Sequence, residues 1–509
     1  MFLKNALSGA SLAAVALLCS FALSARAGEI DELQLNLVTE QDYDSNVFAL
    51  ETNPIGSAVT IVRPSISYEN SGTLGSTRVE GWLSSHTFWE ESGLNGVDRG
   101  IGANFDRMLL PRLSLFGNGG YQRVAPRAEV ARADTVTFTN PGEGVPGQPV
   151  ITPGQIVQGS VPNVDLGQGE FGVLYLLTPI DKLTVSGGPY SVHYLSTTFA
   201  NSEFRDQNGW FARATLQRSL TALDRLSVSL VETPTDLSNV TTNVVEVQDP
   251  TDPHSADINT GKSVSDQQSL SIGWDRSWSE VWTSHLSIGV RRLHSQTLGV
   301  TRGITRVAAV PGGVVPFEDF VPMNFDDTGP GLIGELSIDR SLPRGRLSFS
   351  FRQETTNTGS LSATDVNVST LEASWIHRLS ALATFTLQGR YQYYKSTNNL
   401  TQIGPASYVE GSFNPITGPE FTCSAGSLII SGSGRNKGGQ CSLGSGSSLS
   451  SNYANASARI DWQLRKRLST FAVVRFEDRV GDVQLFGNDY NRYTVGVGFT
   501  YTYSLGLGP

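Results

Sequence analysis

The sequence predicts an all-β chain: a transmembrane, antiparallel, up-and-down β-barrel of about 18 strands, with 16 as the alternative. Three observations predict it. The segment from Tyr493 to Ser504 alternates without a break: Tyr493, Val495, Val497, Phe499, Tyr501 and Tyr503 against Thr494, Gly496, Gly498, Thr500, Thr502 and Ser504. A strand turns successive side chains to opposite faces, so one face is broad and apolar and the other small and polar. Connections also sort by length, with short turns at one end and long loops at the other, which is the asymmetry of a bacterial outer-membrane barrel. Finally, past residue 28 no stretch approaches the roughly 18 consecutive apolar residues of a membrane helix.

The first residues read as an export signal. Lys4 gives the charged start, an apolar run covers Ala6 to Leu23, and Ala25-Arg26-Ala27 is an Ala-x-Ala cleavage site before Gly28. Leu18 stands before Cys19, where a lipoprotein signal wants a small residue, which argues against lipid attachment. The expected organisation is therefore a signal peptide over 1–27 and one barrel domain over 28–509. Removing Lys4 and Arg26 from 37 basic residues leaves 35 against 47 acidic, a net charge of about −12. An acidic exported chain is a poor match for nucleic acid. Mean hydropathy is slightly polar at −0.14, as expected where only alternate residues face lipid.

The turn end is marked by a repeat: a basic residue, Leu, then Ser or Thr. It occurs at Arg112-Leu113-Ser114, Lys182-Leu183-Thr184, Arg225-Leu226-Ser227, His285-Leu286-Ser287, Arg346-Leu347-Ser348 and Arg467-Leu468-Ser469. Pro111, Pro179 and Pro343 sit in three of the turns, as turn chemistry favours. Strands are expected to start near Leu33, Ala58, Thr77, Arg99, Arg112, Gln168, Lys182, Gly209, Arg225, Gln267, Ser284, Gly331, Arg346, Val366, Ala383, Tyr453, Arg467 and Arg492. Long irregular connections are expected over Gln41–Ser57, Ala125–Asp165, Glu232–Val264, Ser295–Thr328 and Ser396–Ser450. The segment Asp365–Trp375 slips phase between Val368 and Leu371, which predicts a bulge. Aromatic residues near strand ends (Trp82, Phe88, Trp89; Trp274, Trp278, Trp282; Tyr391, Tyr393, Tyr394; Tyr501, Tyr503) predict interfacial girdles.

The faces opposite the apolar ones carry charges of both signs. Expected lumen-lining residues are Glu170, Arg213, Asp275, Arg291, Glu335, Asp339, Arg346, Arg352, Arg390, Arg459, Asp461, Arg475 and Glu477. Such a lining is wet and suits polar solutes. Cys423 and Cys441 share one Gly/Ser-rich region, and an oxidising compartment favours a disulfide between them. That loop is long enough to fold into the mouth. The outer loops lean acidic, with Asp249, Asp252, Asp257, Glu318, Asp319, Asp326 and Asp327. No metal ligand set, cofactor motif or catalytic motif is evident, and no enzymatic activity is expected. Six histidines are scattered with no i, i+4 pair, although a barrel hydrolase needs only one Ser or Asp with one His in the fold.

Asp42-Tyr43-Asp44-Ser45-Asn46-Val47-Phe48 follows the first strand. Its acidic residues suggest a calcium loop, but further ligands and the central Gly are missing. Asp and Asn side chains that cap their own backbone are the expected use. This segment, with the repeated hairpin restarts, resembles the β-barrel porin family of proteobacterial outer membranes associated with exopolysaccharide and exosortase systems. The resemblance spans residues 28–509 and implies an integral outer-membrane barrel. In some relatives it implies passage of exopolysaccharide with a separate periplasmic export component. It carries over no catalytic or binding residue. The chain departs from a common barrel ending, since Leu505-Gly506-Leu507-Gly508-Pro509 follows Tyr503. Recognition by the barrel insertion machinery is then expected to rest on Phe499, Tyr501 and Tyr503.

The expected function is a porin-like channel for polar solutes or for export of an exopolysaccharide. A surface structural or adhesive barrel is the alternative, and an outer-membrane enzyme the third reading. Lipid and lipopolysaccharide are the expected surroundings.

Overall fold

The computed structural model describes residues 30–48, 53–124, 164–194, 206–237, 262–310, 313–357, 365–396, 450–481 and 489–506, with five short pieces between 403 and 442. Eighteen long strands form the wall. They are β1 (Ile30–Asp44), β2 (Ser57–Gly72), β3 (Gly75–Phe88), β4 (Gly96–Leu110), β5 (Leu113–Val124) and β6 (Val164–Leu176). Next come β7 (Asp181–Tyr194), β8 (Gln207–Ser219), β9 (Asp224–Leu237), β10 (Lys262–Ser277), β11 (Trp282–Val310) and β12 (Gly313–Leu342). The last six are β13 (Gly345–Asn357), β14 (Asp365–Arg378), β15 (Ala383–Ser396), β16 (Ser450–Arg465), β17 (Leu468–Gly481) and β18 (Tyr490–Gly506). Each pairs antiparallel with the next, and β18 pairs with β1 from Glu32↔Gly506 to Asp44↔Thr494. Closure removes both sheet edges along the wall.

The strand count is 18, not 16, because β1 and β2 are long and pair over their whole lengths. The eight connections at one end are two or four residues long, and both termini of the barrel lie there. Gly75 makes the first of those turns possible: its φ is +151°, and a Cβ there would stand 2.0 Å from the Asp106 carbonyl oxygen.

Period two holds around the wall. Outward positions expose Leu35, Leu37, Ile66, Leu83, Ile101, Phe171, Val185, Leu216, Leu230, Ile272, Ile288, Leu332, Leu371, Leu387, Val474 and Val497. Inward positions are mostly Ser, Thr, Asn, Gln, Gly and charged residues, with buried exceptions such as Val59, Ile61, Phe211, Val231 and Tyr453. This alternation needs only the pleat, so it was readable from sequence.

Three expectations are corrected. First, Ser295–Thr328 is no irregular loop. β11 runs on to Val310 and β12 begins at Gly313, not near Gly331; they form one hairpin whose pairing continues far beyond the wall, with a bulge at Thr297/Val300. That part of the hairpin is held by backbone pairing, which leaves no alternation to read. Second, no bulge lies in Asp365–Trp375; β14 stays in register with both neighbours, and Val368 is a buried inward residue. Third, Phe88 and Tyr394 are buried on inward positions, and Trp82 shares the inward phase of Ser84 and His86. They are not girdle residues, because Trp, Phe and Tyr also fill space inside a rim.

Among the described residues, no strand pairs with the outer side of β12 in the projecting hairpin. β12 leaves β13 above the Gly334↔Gln353 pair. Ser341 donates its N–H to the Val281 carbonyl, so odd β12 residues aim N–H at β11 and even ones aim it at the unpaired side. Pro316, Pro322 and Pro330 all fall on even positions. Each deletes a donor from the free edge, which blunts it against pairing with other strands. Within the β15–β16 connection, Gly438–Ser442 pairs with Ser427–Ser431 and with Ile403–Pro405, and Gly439 pairs with Thr305 of β11. The expected disulfide between Cys423 and Cys441 lies outside the described residues. So do the expected signal peptide and the named acidic loop side chains.

Candidate functional site: the charged inner wall

The inner wall is built by register. From β12 to β1, inward acidic and basic residues pair across neighbouring strands, with neutral residues between some of the pairs. Glu335 faces Arg352, Glu372 faces Arg390, Asn455 lies between Arg390 and Glu477, and Glu477 faces Arg492. Distances make this a ladder. Arg352 Nη2 lies 3.6 Å from Glu335 Oε2. Arg390 Nε lies 2.6 Å from Glu372 Oε1. Asn455 Nδ2 donates to Glu477 Oε1 at 3.2 Å, and Arg492 Nη1 lies 3.6 Å from Glu477 Oε2.

At the seam where β18 meets β1 the ladder becomes buried. Arg492 Nε donates to Asp44 Oδ1 at 2.8 Å. Arg475 bridges Glu40 at 3.3 Å and Asp42 at 3.5 Å. Asp42 and Asp44 side chains are 0 % exposed and Arg492 2 %. Gly496 makes room, since a Cβ there would lie 1.9 Å from Asp42 Oδ1. Removing one member of a buried pair leaves a stranded charge, which costs about 3–5 kcal/mol.

Away from the seam the pairs are open. The Glu372 and Arg390 side chains are 42 % and 39 % exposed, although both point inward. Glu335 and Arg352 are about one-third exposed, and so are Arg459 and Asp461, which pair at 2.8 Å. Inward side chains this accessible require open space along the axis. Exposed ion pairs contribute about 0–1 kcal/mol each.

The wall from β5 to β10 differs. Its inward residues are mostly hydroxyl, amide or Gly: Asn118, Gln122, Gln168, Ser186, Thr215, Ser229, Thr233, Ser265 and Ser269. Thr215 and Ser229 share a hydrogen bond at 3.0 Å, and Asn118 Nδ2 donates to Glu170 Oε2 at 3.0 Å. Asp275 Oδ1 pairs with His285 Nδ1 at 2.7 Å.

The thirteen residues expected to line the lumen all fall on the inward phase of their strands. Structure joins Glu335 to Arg352, Asp339 to Arg346 at 2.7 Å and Arg459 to Asp461. It sets Arg475 and Glu477 in the seam. Arg291 reaches Asn367 Oδ1 at 3.0 Å, across two intervening strands. Glu170 and Arg213 are buried on separate strands. Sequence reading missed Glu40, Asp44 and Arg492 as inward partners and left out Glu372. Spacing offered a signal: Glu40, Asp42 and Asp44 fall on alternate positions, out of phase with Leu33, Leu35 and Leu37.

The segment after β1 ties off the seam. Asp44 Oδ1 accepts the Asn46 N–H at 3.0 Å, the local capping expected of Asp and Asn. Ser45 exchanges hydrogen bonds with Tyr493, and Asn46 Nδ2 donates to the Asn491 carbonyl at 3.2 Å. Val47 packs with Val59, Ile61 and Phe88, flanked by Phe48 and Leu94. In the β3–β4 connection, the Ser57 hydroxyl and then the Ala58 N–H hold the Glu90 carboxyl below its usual range. Phe499 and Tyr501 are exposed on the outer face of β18, and Tyr503 shares that face.

His86 meets both Ser84 Oγ (3.0 Å) and Asp98 Oδ2 (3.2 Å) through one nitrogen, Nε2. A Ser-His-acid relay uses opposite ring nitrogens.

Fold and wall together define a closed, 18-stranded membrane-type barrel with an apolar outside and a charged inside. No protein-family model and no curated protein sequence matches the chain. Among solved structures it is similar to the ferric-catecholate import receptor Fiu of E. coli, at 8 % identity and TM-score 0.39 over 94 % of this chain and 82 % of that one. It is similar to the outer membrane protein OpdK of Pseudomonas aeruginosa, at 8 % identity and TM-score 0.37 over 93 % and 99 %. A variant of the ferric enterobactin receptor PfeA of the same organism gives 11 % and 0.42 over 92 % and 80 %. At these TM-scores the likeness carries no argument about what this chain does.

Proposed function

We propose that the chain is an integral outer-membrane channel for polar solutes, not an enzyme. The observation that carries this reading is the exposure of inward charged pairs at mid-wall, Glu372–Arg390 above all. An 18-stranded barrel is wide enough for an aqueous lumen, and a lining with both signs of charge stays wet. The hydroxyl and amide wall from β5 to β10 adds neutral hydrogen-bonding partners that suit a polyhydroxylated chain. Export of an exopolysaccharide, handed over by a periplasmic component, is the finer form of the proposal. Phe499, Tyr501 and Tyr503 are proposed as the mark read by the insertion machinery.

One observation favours a surface role beside the channel: the β11–β12 hairpin stands far beyond the wall. Single-channel recording of the purified protein in a planar bilayer tests the main reading. Steady conductance is expected. A silent barrel that inserts correctly would overturn it and leave the surface role.

A further inference from the structure

The turn end of the barrel is electrically lopsided. Between β12 and β17 it carries Arg340, Arg344, Arg378, Arg465, Lys466 and Arg467, all exposed. Among the described residues none of the six has an ion-pair partner. Asp339 is engaged by Arg346 and Asp461 by Arg459, and Glu280 of the neighbouring β10–β11 turn forms an ion pair with none of the six among the described residues. Across the rim, β1–β3 carry Asp31, Glu32, Glu69 and Glu80, with Arg78 already on Glu80 at 3.1 Å. A chain with a net charge of −10 thus gathers a cationic arc on one side of one rim.

The arc sits where the apolar outer face ends. Trp375 and Trp462 are exposed on that face, and Leu379, Leu382 and Leu464 are exposed beside the cations. Two of the cations lie on outward aromatic rings. Arg340 Cζ is 4.9 Å from the Trp282 ring centroid, and Arg467 Cζ is 4.4 Å from that of Tyr503. A guanidinium held against a ring face keeps its edge N–H donors for a second partner. Phosphate oxygens match that fork. Apolar side chains above and unpaired fork donors at the boundary together describe a lipid headgroup seat.

We infer that the β12–β17 rim is a docking arc for net-anionic phospholipids, with Arg340 and Arg467 seating headgroup phosphates. The inference rests on the membrane reading of the barrel. Each basic residue near an anionic lipid surface contributes roughly fivefold in affinity.

The test is native mass spectrometry of the full protein released from micelles holding equal phosphatidylglycerol and phosphatidylcholine. Wild type should retain phosphatidylglycerol in excess. The Arg340→Gln/Arg467→Gln double variant, checked for heat-modifiable gel mobility, should lose that excess by at least about fivefold. A Glu69→Gln control should keep it. Equal retention of both lipids by wild type, or an excess unchanged in the double variant, would overturn the arc. Loss of anion preference in channel recordings with lipid retention unchanged would also overturn it, assigning the cations to the mouth instead. Failure to retain any lipid or to need detergent would count against the membrane reading itself.

Discussion

The buried seam and the open mid-wall use the same side chains on the same face of the same sheet, yet they do different work. At the seam, Asp44 and Arg492 are shut away from water, and Arg475 is held between Glu40 and Asp42. At mid-wall, Glu372 and Arg390 make a shorter contact than any Arg475 makes, but both are open to the lumen. Distance therefore does not rank these pairs. Solvent does: a buried charge has no alternative partner, whereas an exposed one can exchange its partner for water or a passing solute.

The largest expected effect breaks the seam. Arg492→Ala should destabilise the folded barrel by about 3–5 kcal/mol, because Asp44 is then buried without a countercharge. Urea unfolding of the barrel in detergent measures it. A loss under 1 kcal/mol would place the seam with the mid-wall.

The mid-wall should respond in conduction rather than in stability. Glu372→Gln and Arg390→Gln should each cost less than about 1 kcal/mol. Reversal potentials in a salt gradient should move toward anion preference for Glu372→Gln and toward cation preference for Arg390→Gln. Identical potentials for both variants and wild type would mean that ions do not pass this pair.

The smallest expected effect lies above the wall. Glu90 has its pKa lowered in the folded state by Ser57 and Ala58. A lowered folded pKa gives a contribution present above the unfolded carboxylate value and lost as pH falls through the folded one. Amide exchange in the 89–95 connection should therefore quicken as pH drops through the carboxylate range, after correction for intrinsic exchange. Glu90→Gln should flatten that dependence. An unchanged profile in Glu90→Gln would assign the effect to another group.

Much of the wall was legible beforehand. Strand starts such as Ala58, Lys182, Arg225, Arg346 and Ala383 fall within one residue of the observed ones, since a turn residue followed by a period-two pattern is a local signal. The same period sets Glu335, Arg352 and Arg390 on the face opposite the exposed apolar residues. The β11–β12 extension was not legible, because it is held by backbone pairing that any sequence can make. Trp82, Phe88 and Tyr394 misled, because aromatic type near a strand end does not say which face it takes.

The sequence alone determined the alternation and the two unlike ends, each of which is written within a few neighbouring residues, and the acidic balance of the chain. Tertiary structure alone decided which charges are buried. Asp44 and Arg492 stand 448 residues apart in the chain, and only barrel closure brings them together. Burial is a property of the neighbours a residue acquires, and no short window of sequence contains them.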